Sequence, residues 1–275
     1  MYELVEVRKV FPGGDVAVDG ISLTVGAGEH VAFIGPSGAG KTTLFRIMNL
    51  TLRPTGGGVR FDGVDVARIS ERALRQARTR IGTIYQQHNL VGRLRVVHNV
   101  LAGNLGRWST LTALASLASP RREAAEAVRA LAQVGIGQKL YARTDELSGG
   151  QQQRVAIARV LIQNPDVILA DEPVSSVDPS LAVSIVTLLR DLSHESRKTL
   201  LMNLHSVELA LNFFPRVVGV RDGRVRFDLS AEKVTPDLLA DLYAGHRDDE
   251  VALERWNVGE GFYGRACRPL PGFGK

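Results

Sequence analysis

The sequence has very little cysteine: Cys267 is the only one among 275 residues. A single cysteine cannot form a disulfide within the chain, which excludes the disulfide-rich class of small secreted proteins and is typical of a reducing compartment. The sequence also lacks any apolar run approaching the ~20 residues of a membrane-spanning helix. Its first residues, MYELVEVRKV, carry charges where a signal peptide needs an apolar core, so we expect no export.

Neither sign of charge is in large excess. The sequence has 34 Lys and Arg residues and 29 Asp and Glu residues, for a net charge of +5. This excess is small and scattered, and alone it decides nothing about a nucleic-acid or anionic-lipid partner. The 44% hydrophobic and 23% charged content is typical of a globular protein. The length allows one large domain or two small ones.

What the sequence does contain is a strand, a glycine-rich turn and a helix between residues 31 and 49. The turn and the start of the helix consist of Gly35, Pro36, Ser37, Gly38, Ala39, Gly40, Lys41, Thr42 and Thr43. This spacing matches the phosphate-loop pattern G-x-x-x-x-G-K-[ST], in which glycines let the backbone curl closely around phosphate oxygens. Backbone N–H groups and the helix N-terminus then face the anion. Lys41 can reach the β- and γ-phosphates and the Thr42 hydroxyl can hold Mg²⁺; a chance glycine-rich turn is the alternative.

A pair of acids, Asp171 and Glu172, follows the apolar segment 167–170. At the end of a buried strand, Asp171 would hold Mg²⁺ through water, and Glu172 would orient or deprotonate the water that attacks the γ-phosphoryl group. Alone the pair is weak evidence, because a core strand that meets a solvated turn often ends in acids. Together with the phosphate loop, it indicates hydrolysis of a nucleoside triphosphate.

A second glycine-rich helix start lies at LSGGQ, which contains Ser148, Gly149, Gly150 and Gln151. A serine and flexible glycines at a helix N-terminus predict a further phosphate-binding element. One triphosphate in one domain does not obviously need two such elements, but a second molecule facing head to tail could lay this one over the first molecule's γ-phosphate. A plain helix N-cap by Ser148 is the alternative, although it would not require two glycines.

The remaining sequence predicts an α/β frame with an insertion. Alanine, leucine and arginine dominate residues 88–165 with helical periods, which predicts a helical subdomain. Strands are expected at residues 2–10, 16–25, 31–34, 59–62, 81–85, 167–170, 199–204 and 217–220. Helices are expected at residues 69–80, 96–105, 121–134, 151–163, 181–193, 207–214 and 235–243. We assign residues 1–245 to one domain and 246–275 to a tail without packed structure, because the tail is rich in proline and glycine.

In this order, the motifs resemble the nucleotide-binding subunit of ATP-binding cassette (ABC) transporters over about residues 2–243, and LSGGQ is that family's signature. The resemblance implies a P-loop NTPase with a RecA-like core, an antiparallel β subdomain and the inserted helical subdomain. Asp178, within Ser175-Ser176-Val177-Asp178, matches the loop that couples the two sites of the dimer. This run replaces the usual Ser-Ala-Leu-Asp, and Thr42-Thr43 replaces the commoner Ser-Thr.

The resemblance also implies roles for individual residues. Phe11 matches the aromatic that stacks on adenine, with a core or strand-end phenylalanine as the alternative. Gln86 matches the residue that touches Mg²⁺ and senses the membrane partner, and His205 matches the histidine that contacts the γ-phosphate. The expected ligands are ATP and Mg²⁺. The expected catalytic residues are Lys41, Gln86, Glu172 and His205, and the expected metal-binding residues are Thr42, Gln86 and Asp171.

The resemblance implies a second copy of the chain, two permease subunits and a periplasmic solute-binding protein as partners, and no nucleic acid. It also implies that this chain lies at the cytoplasmic face of the inner membrane. A narrower similarity, to the ATP-binding subunit of phosphonate importers, is carried by QQHNLVGRLRVVHNVLAGNLGR, LSGGQQQRVAIARVLIQNPDVILADEPVSSVDP and NLHSVELALNFFPRVVGVRDGRV. Ser206 departs from the aspartate common in that subgroup.

Phosphite and hypophosphite importers share these runs. An importer ATPase for another small polar solute, such as an amino acid, and a non-transport ABC ATPase are the alternatives. The sequence has neither the long heptad arms of the DNA-repair ABC ATPases nor the second cassette of the ribosome-acting factors. A non-catalytic binding module would have lost Lys41, Glu172 or His205, and all are present.

Overall fold

The computed structural model describes residues 1–118, 124–175 and 177–245. The strands in these ranges are β1 (Tyr2–Val10), β2 (Val16–Val25), β3 (His30–Ile34), β4 (Gly56–Phe61), β5 (Val64–Asp65), β6 (Ile81–Ile84), β7 (Val167–Asp171), β8 (Thr199–Asn203), β9 (Arg216–Arg221) and β10 (Arg224–Ser230). The helices are α1 (Lys41–Met48), α2 (Glu71–Thr79), α3 (Val96–Leu101), α4 (Thr110–Ala118), α5 (Ala124–Gln133), α6 (Gly149–Gln163), α7 (Pro179–Glu195), α8 (Val207–Phe213) and α9 (Pro236–Tyr243). The predicted tail, residues 246–275, lies outside the described residues.

The central sheet has the strand order β10-β9-β3-β8-β7-β6, in which the strands from β9 to β6 run parallel and β10 is an antiparallel edge. Every residue of β3, β7 and β8 is buried, as expected for a parallel sheet that is covered on both faces. In such a sheet, ligands bind beyond the carboxyl ends of the strands. Those ends bring Ile34, Asp171 and Asn203 to one edge, and Asp171 pairs in register with Asn203.

The second sheet is antiparallel, in the order β2-β1-β4-β5, and confirms the predicted β subdomain. Its strand β4 begins at Gly56, earlier than the predicted residue 59, because Gly56 pairs with Arg8 and Gly58 with Val5. The glycines are part of the pairing itself: a Cβ on Gly57, whose φ is +74°, would lie 2.2 Å from the carbonyl oxygen of Glu6. Only glycine allows this close approach of two backbones.

Helices α3, α4, α5 and α6 lie between β6 and β7, where the helical insertion was predicted. Helix α4 was not predicted, and Leu111 and Leu114 on it are 81% and 59% exposed, so these two leucines do not mark a buried face. The predicted helix 121–134 is described as Ala124–Gln133, and residues 119–123 lie outside the description. None of the helices in the described ranges has the length and apolar character needed to cross a bilayer.

Candidate functional site

A cleft of about 430 Å³ opens at the carboxyl edge of the central sheet. Its walls come from the end of β1, the start of β2, the phosphate loop before α1, and the turns after β7 and β8. The lining residues are Phe11, Asp15, Val16, Ala17, Ser37, Gly38, Ala39, Gly40, Lys41, Thr42, Thr43, Glu172 and His205. Most of the residues predicted to bind a nucleotide therefore meet in one place.

The phosphate loop fits its surroundings only with glycine at two positions. A Cβ on Gly35, at φ +145°, would lie 1.9 Å from the carbonyl oxygen of Val220, and one on Gly40, at φ +96°, would lie 2.1 Å from that of Ala17. The backbone N–H of Gly223 donates to the carbonyl oxygen of Ala39 at 3.0 Å, so the turn between β9 and β10 also supports the loop. The loop is thus held from outside by β2 and β9.

Lys41 is the first residue of α1, and its ammonium group lies within the curve of the loop. Its Nζ donates to the carbonyl oxygens of Gly35 at 2.6 Å and Pro36 at 2.9 Å, and the residue is buried. A buried ammonium at the N-terminus of a helix gives this end of the cleft a positive charge. The cleft can therefore accept the phosphates of a nucleotide.

A tyrosine that the sequence did not suggest holds the start of the same loop. The backbone N–H of Gly35 donates to the hydroxyl oxygen of Tyr243, the last residue of α9, at 3.1 Å. The guanidinium of Arg221, at the end of β9, donates to the carbonyl oxygen of Asp241 in the same helix. Helix α9 is thus joined to the phosphate loop through Tyr243 and to strand β9 through Arg221.

Asp171 ends β7 beside the loop, and its Oδ1 accepts hydrogen bonds from the Thr42 hydroxyl at 3.2 Å and from Asn203 Nδ2 at 2.7 Å. Burial raises the pKa of Asp171 and the charge of Glu172 raises it further, whereas the hydrogen bonds from Asn203 and Thr42 lower it. A carboxylate and a hydroxyl at this spacing are the oxygen ligands that Mg²⁺ prefers. The residues present therefore fit a metal held beside the phosphates.

Glu172 follows in a left-handed conformation, with φ of 52°. Such a backbone is uncommon for a residue with a side chain, and strain of this kind clusters at functional sites. Its N–H donates to the carbonyl oxygen of Asn203 at 3.2 Å, and its Oε1 lies 2.8 Å from Nε2 of His205. The hydrogen bond from His205, together with the charges of His205 and Lys41, lowers the pKa of Glu172 although burial opposes them. Glu172 is therefore a carboxylate at neutral pH.

Phe11 lies at the rim of the cleft and is only partly buried, with Lys9 Nζ 5.4 Å from the centre of its ring. This placement disfavours a core phenylalanine, whereas the alternative of a strand-end phenylalanine also fits, because Phe11 directly follows β1. Gln86, in contrast, is exposed on the turn after β6 and is not among the residues that line the cleft.

The LSGGQ segment lies outside the cleft of its own chain. Ser148 caps α6 as a full capping box: its hydroxyl accepts from the N–H of Gln151 at 3.4 Å, and Gln151 Oε1 accepts from the N–H of Ser148 at 3.2 Å. The plain N-cap considered as the alternative is therefore present. Gly149 has open space at its Cβ position, whereas a Cβ on Gly150 would lie 2.6 Å from Leu181 Cδ2.

Asp178 is also outside the cleft and caps α7. Its carboxylate accepts from the Ser180 hydroxyl at 2.6 Å and from the Leu181 N–H at 3.0 Å, and these bonds lower its pKa. Because Gly150 packs on the side chain of Leu181, the starts of α6 and α7 contact each other. The LSGGQ segment, which is the signature segment, and the loop of Asp178 are thus neighbours on one surface of the chain.

Comparison with known proteins agrees with this geometry. The sequence profile of the family described as "ABC transporter" matches residues 18–175. The phosphonates import ATP-binding protein PhnC 3 of Halalkalibacterium halodurans is 42% identical over 252 residues, which is 91% of this chain and 97% of that protein. The PhnC 2 protein of Pseudomonas aeruginosa is 48% identical over 249 residues, 90% of this chain and 92% of that protein.

Solved structures show the same fold. A dimeric ATP-binding cassette, MJ0796, in a post-hydrolysis state bound to ADP and Pi, superposes with a TM-score of 0.74 and 32% identity, over 84% of this chain and 99% of that one. The cbiO1 protein of Clostridium perfringens, part of the ABC transporter complex cbiONQ, superposes with a TM-score of 0.73 and 25% identity, over 91% of this chain and 97% of that one.

Proposed function

The chain belongs to the ABC transporter family, and from this premise we propose that it is the ATP-hydrolysing subunit of an importer for phosphonates. The observation that carries the hydrolytic part is the meeting of the phosphate loop with Glu172 and His205 in one cleft. Solute specificity resides in other chains of such a transporter, so the site of this chain does not identify the solute. The solute is inferred from the relatives, which are phosphonate import proteins.

In the proposed site, the N–H groups of the phosphate loop and Lys41 bind the phosphates of ATP, and Phe11 stacks on the adenine. Thr42, Asp171 and Gln86 would hold Mg²⁺, and the charge of this ion would offset that of the β- and γ-phosphates. Thr42 and Asp171 already lie within hydrogen-bond distance of each other, whereas Gln86 stands on an exposed turn. Its role therefore requires that turn to move toward the nucleotide.

Glu172 acts on the attacking water. The hydrogen bond from His205 lowers the pKa of Glu172, so the side chain is ionised and its carboxylate can accept a hydrogen bond from the water, to orient or to deprotonate it. His205, bonded to Glu172, lies in the same cleft and contacts the γ-phosphate. Such positioned groups supply most of the acceleration in phosphoryl transfer.

The complete site requires two chains facing head to tail. Ser148, Gly149, Gly150 and Gln151 of one chain would cover the nucleotide of the other. These residues lie outside their own cleft, and the space at the Cβ position of Gly149 is open. Asp178, next to the signature segment through Leu181, would couple the two sites.

The permease subunits would dock between the central sheet and the helical subdomain. A cavity of about 640 Å³ lies there, lined by Asn49, Thr51, Arg75, Arg78, Thr79, Ile81, Thr83, Tyr85, Asn89, Ala102, Gly103, Leu105, Gly106, Arg159, Val160 and Gln163. The guanidinium of Arg159 in α6 donates to the carbonyl oxygens of His88 and Asn89, which follow Gln86. Movement of α6 would therefore be transmitted to the turn that faces the permease. In the proposed assembly, which would include a periplasmic binding protein, the chain would lie at the cytoplasmic face of the inner membrane.

The test is a strain that lacks the gene, grown on an alkylphosphonate, phosphite or phosphate as the only phosphorus source. We expect loss of growth on the phosphonate, or on phosphite if that is the solute, and normal growth on phosphate. Complementation with the parent gene should restore growth, and the Glu172→Gln gene should not. Normal uptake of both reduced-phosphorus compounds with a defect for an amino acid would overturn the solute and leave the ATPase assignment intact.

A further inference from the structure

Asn203 is a fully buried polar residue in contact with both acids of the site. It ends β8, directly beside Asp171 in the parallel pairing of β7 and β8. Its side-chain Nδ2 donates to Asp171 Oδ1 at 2.7 Å, and its backbone carbonyl oxygen accepts from the N–H of Glu172 at 3.2 Å. One residue thus holds the metal-binding acid by its side chain and the water-orienting acid by its backbone.

The orientation of the amide follows from this contact. An ionised carboxylate only accepts hydrogen bonds, so the atom of Asn203 that faces Asp171 must be the nitrogen. The other amide atom, Oδ1, is buried without a hydrogen-bond partner in the part of the chain that the structure describes. A buried polar atom left unpaired disfavours the folded state, and each such atom in a native protein needs an explanation.

We propose that Asn203 is a positioning residue for the metal: its amide fixes the Asp171 carboxylate so that Mg²⁺ binds beside the phosphates of ATP. The hydrogen bond occupies the same carboxylate oxygen that accepts from the Thr42 hydroxyl, so the three side chains form one unit across β8, β7 and α1. Partners of this kind orient metal ligands, and their loss typically costs about 10–100-fold in metal affinity. The proposal rests on the proposed function, because it needs ATP and a divalent cation in this cleft.

The test compares Asn203→Thr with Asn203→Val in the full chain. The two replacements have nearly the same volume and shape, but only threonine keeps a hydrogen-bond donor. Mn²⁺ serves as the probe, and its binding is followed by electron paramagnetic resonance in the presence of a non-hydrolysable ATP analogue. Binding of the analogue in EDTA is measured in parallel. Thr199→Val is the matched control, because Thr199 is a buried polar residue at the other end of β8, bonded to the N–H of Gly28.

We expect Asn203→Val to weaken Mn²⁺ binding by about 10–100-fold, with analogue binding in EDTA changed less than about twofold. Asn203→Thr should recover part of the loss, and Thr199→Val should bind Mn²⁺ as the parent does. A purely structural role would weaken the Val and Thr variants equally, and that result, or parent-like binding by Asn203→Val, would overturn the proposal. If either variant is unfolded at the assay temperature, Asn203→Ser and Asn203→Ala repeat the comparison. Absence of ATP-dependent Mn²⁺ binding by the parent would instead contradict the proposed function itself.

Discussion

The imidazole Nε2 of His205 lies 2.8 Å from Oε1 of Glu172, so the turns after β8 and β7 are joined by a hydrogen bond inside the cleft. This bond is the main cause of the lowered pKa of Glu172. It also fixes the carboxylate of a residue whose backbone is left-handed. The bond therefore keeps the Glu172 side chain ionised and in a fixed position, where it can act on the attacking water.

Glu172→Gln tests this role, because the amide keeps the shape of the side chain and removes the negative charge that orients water. We expect turnover of ATP to fall by roughly 10²–10⁴-fold while ATP binding is retained. The variant should accumulate as an ATP-bound dimer, which size-exclusion chromatography with ATP would detect. Glu195→Gln, at an exposed position near the end of α7, is the control and should hydrolyse ATP normally. Hydrolysis by Glu172→Gln at the parent rate would assign the role to another residue.

Mixed dimers test whether the signature segment acts on the nucleotide of the partner chain. Gly149→Asp should not disturb the fold of a single chain, because its Cβ position is open and an acid is favourable at a helix N-terminus. In the dimer, the added carboxylate would repel the γ-phosphate. We expect Lys41→Ala and Gly149→Asp chains to be inactive alone and to recover ATP hydrolysis when mixed, because one intact composite site forms.

The measurement is ATPase activity at increasing ratios of the two variants, with heterodimers identified by two different affinity tags. Mixtures that contain heterodimers and remain inactive would argue against a shared site, unless ATP hydrolysis requires two intact sites in one dimer. An ATP-binding defect in Gly149→Asp chains alone would mean that the glycine serves its own chain.

The sequence predicted those parts of the site that depend on short spacings. The residues from Gly35 to Thr43 are neighbours along the chain, and Glu172 directly follows Asp171 at the end of β7, so local patterns were sufficient to single them out. Asn203 and Tyr243 could not be found in this way. Asn203 contacts Asp171 across 32 residues, and Tyr243 contacts Gly35 across 208, so both depend on strand order and helix packing.

The same limit explains the differences in secondary structure. The predicted strand at residues 59–62 excludes the glycines from Gly56 to Gly58, because glycine weakens strands on average. They belong to β4 because the carbonyl of Glu6 approaches Gly57 too closely for a side chain. Helix α4 was missed since its Leu111 and Leu114 are exposed, and an exposed apolar residue does not mark a packed face.

One buried histidine, His30, and two partly buried ones, His88 and His98, make stability depend on pH. Burial is the largest cause of the lowered pKa of His30, His88 and His98. A histidine with a lower pKa in the folded state binds fewer protons there than in the unfolded chain, so the free energy of unfolding decreases as pH falls from about 6.5. We expect the melting temperature to fall between about pH 7 and pH 5.5. His30→Gln should reduce that fall, and an equal fall in both proteins would exclude His30 as a cause.

Tyr243→Phe tests whether α9 positions the phosphate loop. The change removes only the hydroxyl that accepts from the Gly35 N–H, and a buried donor left without a partner costs about 1–3 kcal/mol of stability. Tyr2→Phe is the matched control, because the equally buried hydroxyl of Tyr2 donates to the Met48 carbonyl oxygen, at the other end of α1. Urea unfolding should show a loss of stability in both variants. Only Tyr243→Phe should raise the KM for ATP, with kcat less affected, since the loop binds the phosphates in the ground state and the transition state alike. If both variants keep the parent KM, the contact between Tyr243 and Gly35 supports the fold without positioning the loop.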